Sequence, residues 1–202
     1  MQIVYKDIVL RDMVEMDIDD NIRWNTTERE WELWDEPWEQ DEPFNLDQFR
    51  ENEQRDLKKL EELKKTNTFR WSLEIDYEEG THIGAVDTYL IDSNYKRIAR
   101  KEIKEGQTVF HALGIAIFEP SYWSRGLGTQ ALTAYIQHHL ENKNIELYLQ
   151  TWSGNNRMIK SATKLGFYIC DIQKNVRHVR GSSYDGLTLK LDIGKFMQNI
   201  NA

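Results

Sequence analysis

A strand, a glycine-containing loop and a helix follow one another within residues 110–140. The apolar run 110–118 has the length of a strand, and apolar residues recur at helical spacing from Leu127 onward. Gly126 and Gly128 therefore fall at the first turn of the predicted helix. The unpaired N–H groups of such a turn attract anions, and a residue without a Cβ lets a phosphate approach the backbone. The segment thus predicts an anion site where a strand passes into a helix.

A second strand and helix follow this loop. Residues 145–151 predict a strand, and residues 155–167 predict a helix that ends at Gly166. The apolar positions that share one face of this helix are Met158, Ile159, Ala162 and Leu165. The order of the two motifs along the chain restricts the fold far more than either motif alone.

Together the two segments resemble the GNAT superfamily of acyl-CoA-dependent N-acetyltransferases. The residues that carry the resemblance are 122–128 and 155–167. Trp123 stands where the family has Gln or Arg. In this position the sequence resembles the branch that contains the ribosomal-protein N-terminal acetyltransferases. The resemblance implies a mixed α/β fold, a largely antiparallel sheet flanked by helices, and one domain spanning residues 1–202.

The resemblance also implies acetyl-CoA as co-substrate. In the family, the pantetheine arm runs along an exposed edge of the central strand, and the diphosphate lies on the glycine loop. The residues expected to bind it here are Ile115, Ile117, Arg125, Gly126, Leu127, Gly128, Thr129 and Asn155. The first two would offer backbone groups to pantetheine, the loop would hold the diphosphate, and the last would touch the cofactor near its helix start.

Transfer to an amine requires a group that accepts a proton from the attacking nitrogen. Glu119 is the candidate by position, because it follows the central strand directly, although it would equally suit a solvated acid at a strand end. Glu74 and Asp87 are further candidates if their strands direct them inward.

The general acid of the family, a Tyr in the second helix, aligns with Ala162. Either another hydroxyl, such as that of Tyr184 or Ser161, protonates the leaving thiolate, or no dedicated acid is needed. The same departure favours an alternative function, a non-catalytic acyl-CoA-binding sensor module.

Residues 21–66 are expected to form a helical region on the acceptor side. Trp31, Trp34 and Trp38 have the spacing of one helix face. This face would either pack on the sheet or bind a cationic acceptor, with Trp31 and Trp34 as contact residues. The acids among the tryptophans of residues 21–44 are Glu28, Glu30, Glu32, Asp35, Glu36, Glu39, Asp41 and Glu42. The acceptor would be a primary amine, either a protein N-terminus or a small cationic amine.

The remaining pattern predicts several peripheral elements. They are a strand at 3–10 interrupted at Lys6 and Asp7, a helix capped by Asn45 or Asp47, strands at 69–75 and 83–91 around a turn at 78–80, an insertion at 92–107, a turn at 181–186 and a last strand at 187–191.

Composition restricts the partners. The net charge of -8 argues against a nucleic-acid backbone as partner and favours cationic substrates. No apolar run has the length of a membrane span, and the histidines and the single cysteine, Cys170, form no metal-binding pattern. The N-terminus lacks the layout of a signal peptide, so a cytoplasmic location is expected. The protein is expected to be a monomer or a homodimer.

Overall fold

The computed structural model describes residues 1–35, 37–38, 44–66, 68–78, 80–143 and 145–201. Its strands are β1 Gln2–Tyr5, β2 Ile8–Arg11, β3 Ser72–Tyr77, β4 Thr81–Asp92, β5 Val109–Ile117, β6 Leu147–Trp152, β7 Phe167–Val179 and β8 Ser182–Leu191. Its α-helices are α1 Asp17–Thr26, α2 Leu46–Lys65, α3 Leu127–Asn142, α4 Asn156–Lys164 and α5 Ile193–Ile200. The strands form one sheet in the order β1-β2-β3-β4-β5-β6-β8-β7. The expected mixed α/β fold with a mostly antiparallel sheet is confirmed.

Contacts divide the chain into two compact units. The first comprises Met1–Val86 and Ala116–Ala134, and the second comprises Asp87–Ile115 and Tyr135–Ala202. Among the described residues no helix combines the length and the apolar character that a membrane span requires.

In the first unit, a charged network fastens α1 to the sheet. Arg11 on β2 donates to both carboxylate oxygens of Asp17, at 2.6 and 2.8 Å, and to Asp76 on β3 at 2.6 Å. Asp17 is almost fully buried, so the ion pair is shielded from solvent. This anchor fixes the start of α1 and thereby the position of Trp24, which is fully buried near the end of the same helix.

In the second unit, β6 is paired on both edges over part of its length. It runs parallel to β5 and antiparallel to β8, and Leu147 and Leu149 are buried. Helix α4 begins after Asn155, whose side chain accepts a hydrogen bond from the Met158 N–H at 3.1 Å. Helix α5 begins in the same way after Asp192, which accepts from the Lys195 N–H at 3.0 Å.

The predicted helix through Trp31, Trp34 and Trp38 is wrong. Among the described residues 28–35 and 37–38, the helical ones are those of a short 3-10 turn at Arg29–Leu33, and Trp34 follows it in a turn. Pro37 has no backbone N–H to donate, so a regular helix starting near Trp31 could not continue through Trp38.

The turn predicted at residues 181–186 is also misplaced. β7 and β8 form one hairpin that turns at Arg180 and Gly181, both with positive φ, and Ser182 already pairs with Val179. The outer part of this hairpin is mostly exposed, so no alternating apolar pattern marks its strands.

Other local predictions agree with the structure. The interruption at Lys6 and Asp7 is a hairpin turn between β1 and β2, with Lys6 at φ 50°. Asn45 is the cap of α2 and accepts from the Gln48 N–H at 3.0 Å. Glu36, Glu39, Asp41, Glu42 and the central residue of the 78–80 turn, Glu79, lie outside the described residues.

Candidate active site

The glycine loop lies in the first unit, between β5 and α3. Gly126 has φ 81°, a conformation that favours glycine, and its carbonyl accepts the Gln130 N–H at 3.0 Å in the first turn of α3. A Cβ built on Gly126 meets none of the described atoms within 4 Å. The N-terminal end of α3 is therefore approachable from outside, as an anion site requires.

Arg125, the expected phosphate-binding cation, is held at the side of this loop. Its guanidinium lies over the ring of Tyr77 at 4.7 Å and over the ring of Tyr122 at 5.1 Å. It also donates to the Tyr77 hydroxyl at 2.9 Å. Because Arg125 remains exposed, the ring contacts orient its charge without removing it from solvent.

Trp123, at the family's Gln or Arg position, ties the loop to the end of β5. Its indole N–H donates to the carbonyl of Ile117 at 2.7 Å. The carbonyl of Ile117, which was expected to face pantetheine, is therefore already a hydrogen-bond acceptor within the protein. The sequence alone does not indicate this contact, because a motif position predicts a residue type and not the acceptor of its hydrogen bond.

Within the second unit, the pairing of β5 with β6 ends partway along β5. β5 pairs with β6 from His111, opposite Leu147, to Leu113, opposite Leu149. Beyond this point β6 continues to Trp152 with β8 alone. The two strands thus separate after Leu113, which is the geometry that the family resemblance implies for the pantetheine arm.

The direction of the backbone groups on β5 follows from its other neighbour. A Cβ built on Gly84 of β4 would lie 2.1 Å from the carbonyl oxygen of Ala116, so this oxygen faces β4. Backbone groups alternate in direction along a strand. Those of Ile115 and Ile117 therefore face the opposite edge, as expected for residues that would pair with pantetheine.

Glu119 is held by two groups from α1. Its Oε1 accepts the indole N–H of Trp24 at 2.9 Å and forms an ion pair with Arg23 at 2.8 Å. The Trp24 ring stacks on Phe118 with centroids 4.6 Å apart. The carboxylate is thus oriented at the end of β5, with about a fifth of the side chain exposed.

Trp31 belongs to the same aromatic cluster. Its indole N–H donates to the carbonyl of Trp24 at 2.8 Å, and its ring meets Phe118 edge-on at 4.9 Å. The contacts agree with the packing interpretation, while the remaining half-exposed surface leaves room for a substrate contact. The Trp34 side chain is also half-buried, and its backbone N–H donates to the Trp31 carbonyl at 3.1 Å.

Glu74, a further candidate base, is committed to His82. Its Oε2 lies 3.0 Å from His82 Nε2, while His82 Nδ1 lies 3.1 Å from Asp20. Burial alone would lower the pKa of His82, but the hydrogen bond to Glu74 and the charges of Glu74 and Asp17 raise it above its usual value. His82, Asp17 and Asp20 are close enough to hold a metal ion, but Arg11 already donates to both Asp17 oxygens. The prediction of no metal site stays a prediction.

Asp87, the other candidate, lies beside β5 in the second unit. A Cβ built on Gly114 would lie 2.0 Å from Asp87 Oδ1, so the carboxylate occupies the space that a side chain at 114 would need. Burial raises the pKa of Asp87, against a smaller opposing effect of Arg97.

The α4 residues have local roles that the structure makes explicit. Asn155 is buried and caps the helix, and Ala162 is fully buried. Tyr184, one possible source of a proton for the thiolate, packs edge-on against Trp152 at 4.8 Å. Ser161 is half-buried. None of these contacts assigns a general acid.

Comparison with protein families identifies the fold. The sequence model described as "Acetyltransferase (GNAT) domain" matches residues 7–168. A search of curated proteins finds no match.

Solved structures similar to this chain include several acetyltransferases. A RimL ribosomal L7/L12 alpha-N-protein acetyltransferase in complex with coenzyme A is 14% identical, with 94% of this chain and 97% of that chain covered and a TM-score of 0.65. A ribosomal-protein-S5-alanine acetyltransferase from Vibrio fischeri is 18% identical, with 94% and 95% covered and a TM-score of 0.65. The microcin C7 self-immunity acetyltransferase MccE, in complex with acetyl-CoA and AMP, is 14% identical, with 91% of each chain covered and a TM-score of 0.62. At these identities the likeness is one of fold.

Proposed function

Since this chain belongs to the GNAT acetyltransferase family, we propose that it transfers the acetyl group of acetyl-CoA to a primary amine by direct attack in a ternary complex. The observation that carries the proposal is the separation of β5 from β6 after Leu113, opposite Leu149. An unpaired strand edge offers N–H and C=O groups that can bind an extended ligand as an added strand. The amides of pantetheine match such an edge.

In the first unit the proposed acetyl-CoA contacts are Ile117 and residues 125–129, and in the second unit they are Ile115 and Asn155. Ile115 and Ile117 would offer backbone groups, with the Ile117 carbonyl shared with Trp123. Gly126, Leu127, Gly128 and Thr129 would place their N–H groups around the diphosphate. Arg125 would add charge and Asn155 a polar contact. RimL with coenzyme A and MccE with acetyl-CoA support this choice of cofactor.

The acceptor is proposed to be a protein N-terminal amine or a small cationic amine. The ribosomal-protein acetyltransferases among the fold neighbours support the first, and the net charge of -8 supports any cationic acceptor. Trp31 and Trp34 are the proposed acceptor contacts. We propose action in the cytoplasm as a monomer or homodimer, with no nucleic-acid or membrane partner.

Two carboxylates in the described part of the chain are candidates for the proton acceptor. Glu119 is positioned at the end of β5 by Trp24 and Arg23, and Asp87 lies against Gly114. Ala162, buried where the family has a Tyr, favours the second candidate function of a non-catalytic acyl-CoA sensor.

The proposal is tested by the release of free CoA thiol from acetyl-CoA with a panel of amines. The panel contains spermidine, an aminoglycoside and peptides with different N-terminal residues, and acetyl-CoA binding is measured separately by calorimetry. Turnover with one class of amine is expected. Binding without turnover on any amine would favour the sensor, and absence of binding would overturn both functions.

A further inference from the structure

The carboxylate of Asp87 lies against the backbone of β5 where this strand leaves β6. A Cβ on Gly114 would come within 2.0 Å of Asp87 Oδ1 and 3.1 Å of its Cγ. Gly114 directly follows Leu113, the last β5 residue that pairs with β6. Gly114 does not have a positive φ, so the glycine is needed here for space. Because Gly114 has no side chain, the Asp87 carboxylate can lie next to the point where β5 stops pairing with β6.

Among the described residues, no hydrogen bond or ion pair is found for the Asp87 carboxylate, and Asp87 as a whole residue is half-buried. Glu74 and Glu119, by contrast, each accept hydrogen bonds from side chains within the protein. A carboxylate without such partners keeps its oxygens available to a substrate proton. In the part of the chain that the structure describes, the charge of Arg97 opposes the rise in the pKa of Asp87, and the charge of Asp87 in turn helps to raise the pKa of the Tyr135 phenol.

The place of Asp87 along β5 fits the reactive end of the cofactor. β5 ends at Ile117, three residues or about 10 Å of strand beyond Gly114. The pantetheine arm is proposed to pair with the strand edge that is unpaired after Leu113. Its thioester would then lie near Gly114, beside the carboxylate.

We propose that Asp87 is the general base of the acetyl transfer, an inference that rests on the proposed function. Asp87 takes one proton from the ammonium form of the acceptor. The freed nitrogen lone pair forms the C–N bond to the thioester carbonyl carbon, and the C–S bond breaks with its electron pair leaving on sulfur. The second nitrogen proton goes to the thiolate, giving the amide and CoA thiol, and Asp87 returns its proton to solvent.

Burial is consistent with this role. It raises the pKa of Asp87 toward the range in which an acid accepts a proton from an amine and releases it to water. The base must be ionised to act, so turnover is expected to fall as the pH drops through this raised pKa.

The first experiment compares Asp87→Asn with the wild-type protein and with Asp56→Asn, a matched change at an exposed site on α2. Asp87→Asn is expected to lower kcat by about 100-fold or more with unchanged acetyl-CoA affinity. The acid limb that Asp87 adds to the wild-type pH profile should disappear, leaving a rate that follows the supply of free amine. Asp56→Asn should match the wild type.

Gly114→Ala provides a second test that leaves the carboxyl group present. Its Cβ would displace Asp87, so kcat should fall while acetyl-CoA binding persists. Asp87→Glu should recover part of the activity of Asp87→Asn, and circular dichroism checks that each variant folds.

Three outcomes would overturn the inference. They are a kcat of Asp87→Asn within about threefold of the wild type, an unchanged pH profile, or a raised KM for the amine at unchanged kcat, which would make Asp87 an amine-binding group. Absence of wild-type turnover on every amine would instead overturn the proposed function itself.

Discussion

Trp123 stands at a position where the family has a polar residue, and here its side chain forms a hydrogen bond that holds the loop to β5. Its indole N–H donates to the Ile117 carbonyl at 2.7 Å, closing the loop onto β5. This bond holds the last residue of the open strand edge in place. The side chain therefore connects the stability of the loop with the binding of the cofactor.

Trp123→Phe removes this donor and keeps most of the apolar surface. The free energy of unfolding should fall by about 1 kcal/mol, the net value of one such hydrogen bond. Acetyl-CoA should bind several-fold more weakly because the Ile117 backbone loses its orientation. Urea denaturation and calorimetry measure the two effects, and a variant equal to the wild type in both would show that the bond plays no part.

The position of Glu119 could be predicted from the sequence, but its surroundings could not. A strand end before a glycine loop is visible in the pattern, so an acid there is a natural candidate. Its partner Trp24 comes from α1, 95 residues earlier, and no local spacing indicates such a contact. Asp87 shows the same limit, because its closeness to Gly114 depends on how β4 pairs with β5.

Among the elements, those with a regular apolar period were the ones that the sequence predicted. Helices α2, α3 and α4 have such a period and recognisable ends. The first half of α1, from Asp17, lies outside the expected helical region 21–66, because three of its first four residues are acids and show no apolar period. Helix α5 has eight residues and depends on the Asp192 cap for its start.

Asn155 has two possible tasks at the start of α4 that substitution separates. Asn155→Ala removes the cap and should lower the free energy of unfolding by about 1 kcal/mol. Asn155→Asp restores a capping oxygen but adds a negative charge. If Asn155 also touches the cofactor, the Asn155→Asp variant should regain stability in urea denaturation while its acetyl-CoA affinity, measured by calorimetry, stays low. If Asn155→Asp recovers both the stability and the acetyl-CoA affinity, the role of Asn155 is to cap α4 and not to bind the cofactor.

The contact of α1 with the sheet through His82 predicts a pH dependence. Buried His82 has its pKa raised above 6.5 by Glu74 and Asp17, against the effect of burial. A group whose pKa is higher in the folded state than in the unfolded state stabilises the fold fully when the pH is below its unfolded-state pKa. This contribution to the free energy of unfolding is lost as the pH rises through its folded-state pKa. The stability difference between wild type and His82→Gln should therefore shrink as the pH rises from below 6.5 to above the raised pKa, which urea denaturation at the two ends measures. An equal difference in the free energy of unfolding at the two pH values would contradict this prediction.

At the scale of the whole molecule, the two ordered motifs were enough to predict the fold. The family match over residues 7–168 and the sheet order confirm it. The edges of the fold were less predictable, since β7 extends for 13 residues through mostly exposed positions. Pairing with β8, rather than any apolar pattern, holds that strand.

The charge of -8 predicts a salt effect on the acceptor. Added salt screens the attraction between the protein and a polycation, so the KM for spermidine should rise several-fold between low and high ionic strength. A weakly charged amine serves as the control and should show a smaller change. Equal salt dependence for both amines, measured by CoA release, would show that the overall charge does not guide the acceptor.

The division of the chain into two compact units bears on how the protein is made. Each unit joins two separate stretches, and the first needs Ala116–Ala134 to complete what Met1–Val86 begins. A ribosome must therefore add about 30 residues of the other unit before the missing part emerges, a delay of a few seconds at ordinary elongation rates. During that interval the nascent chain lacks the contacts that Ala116–Ala134 makes within the first unit.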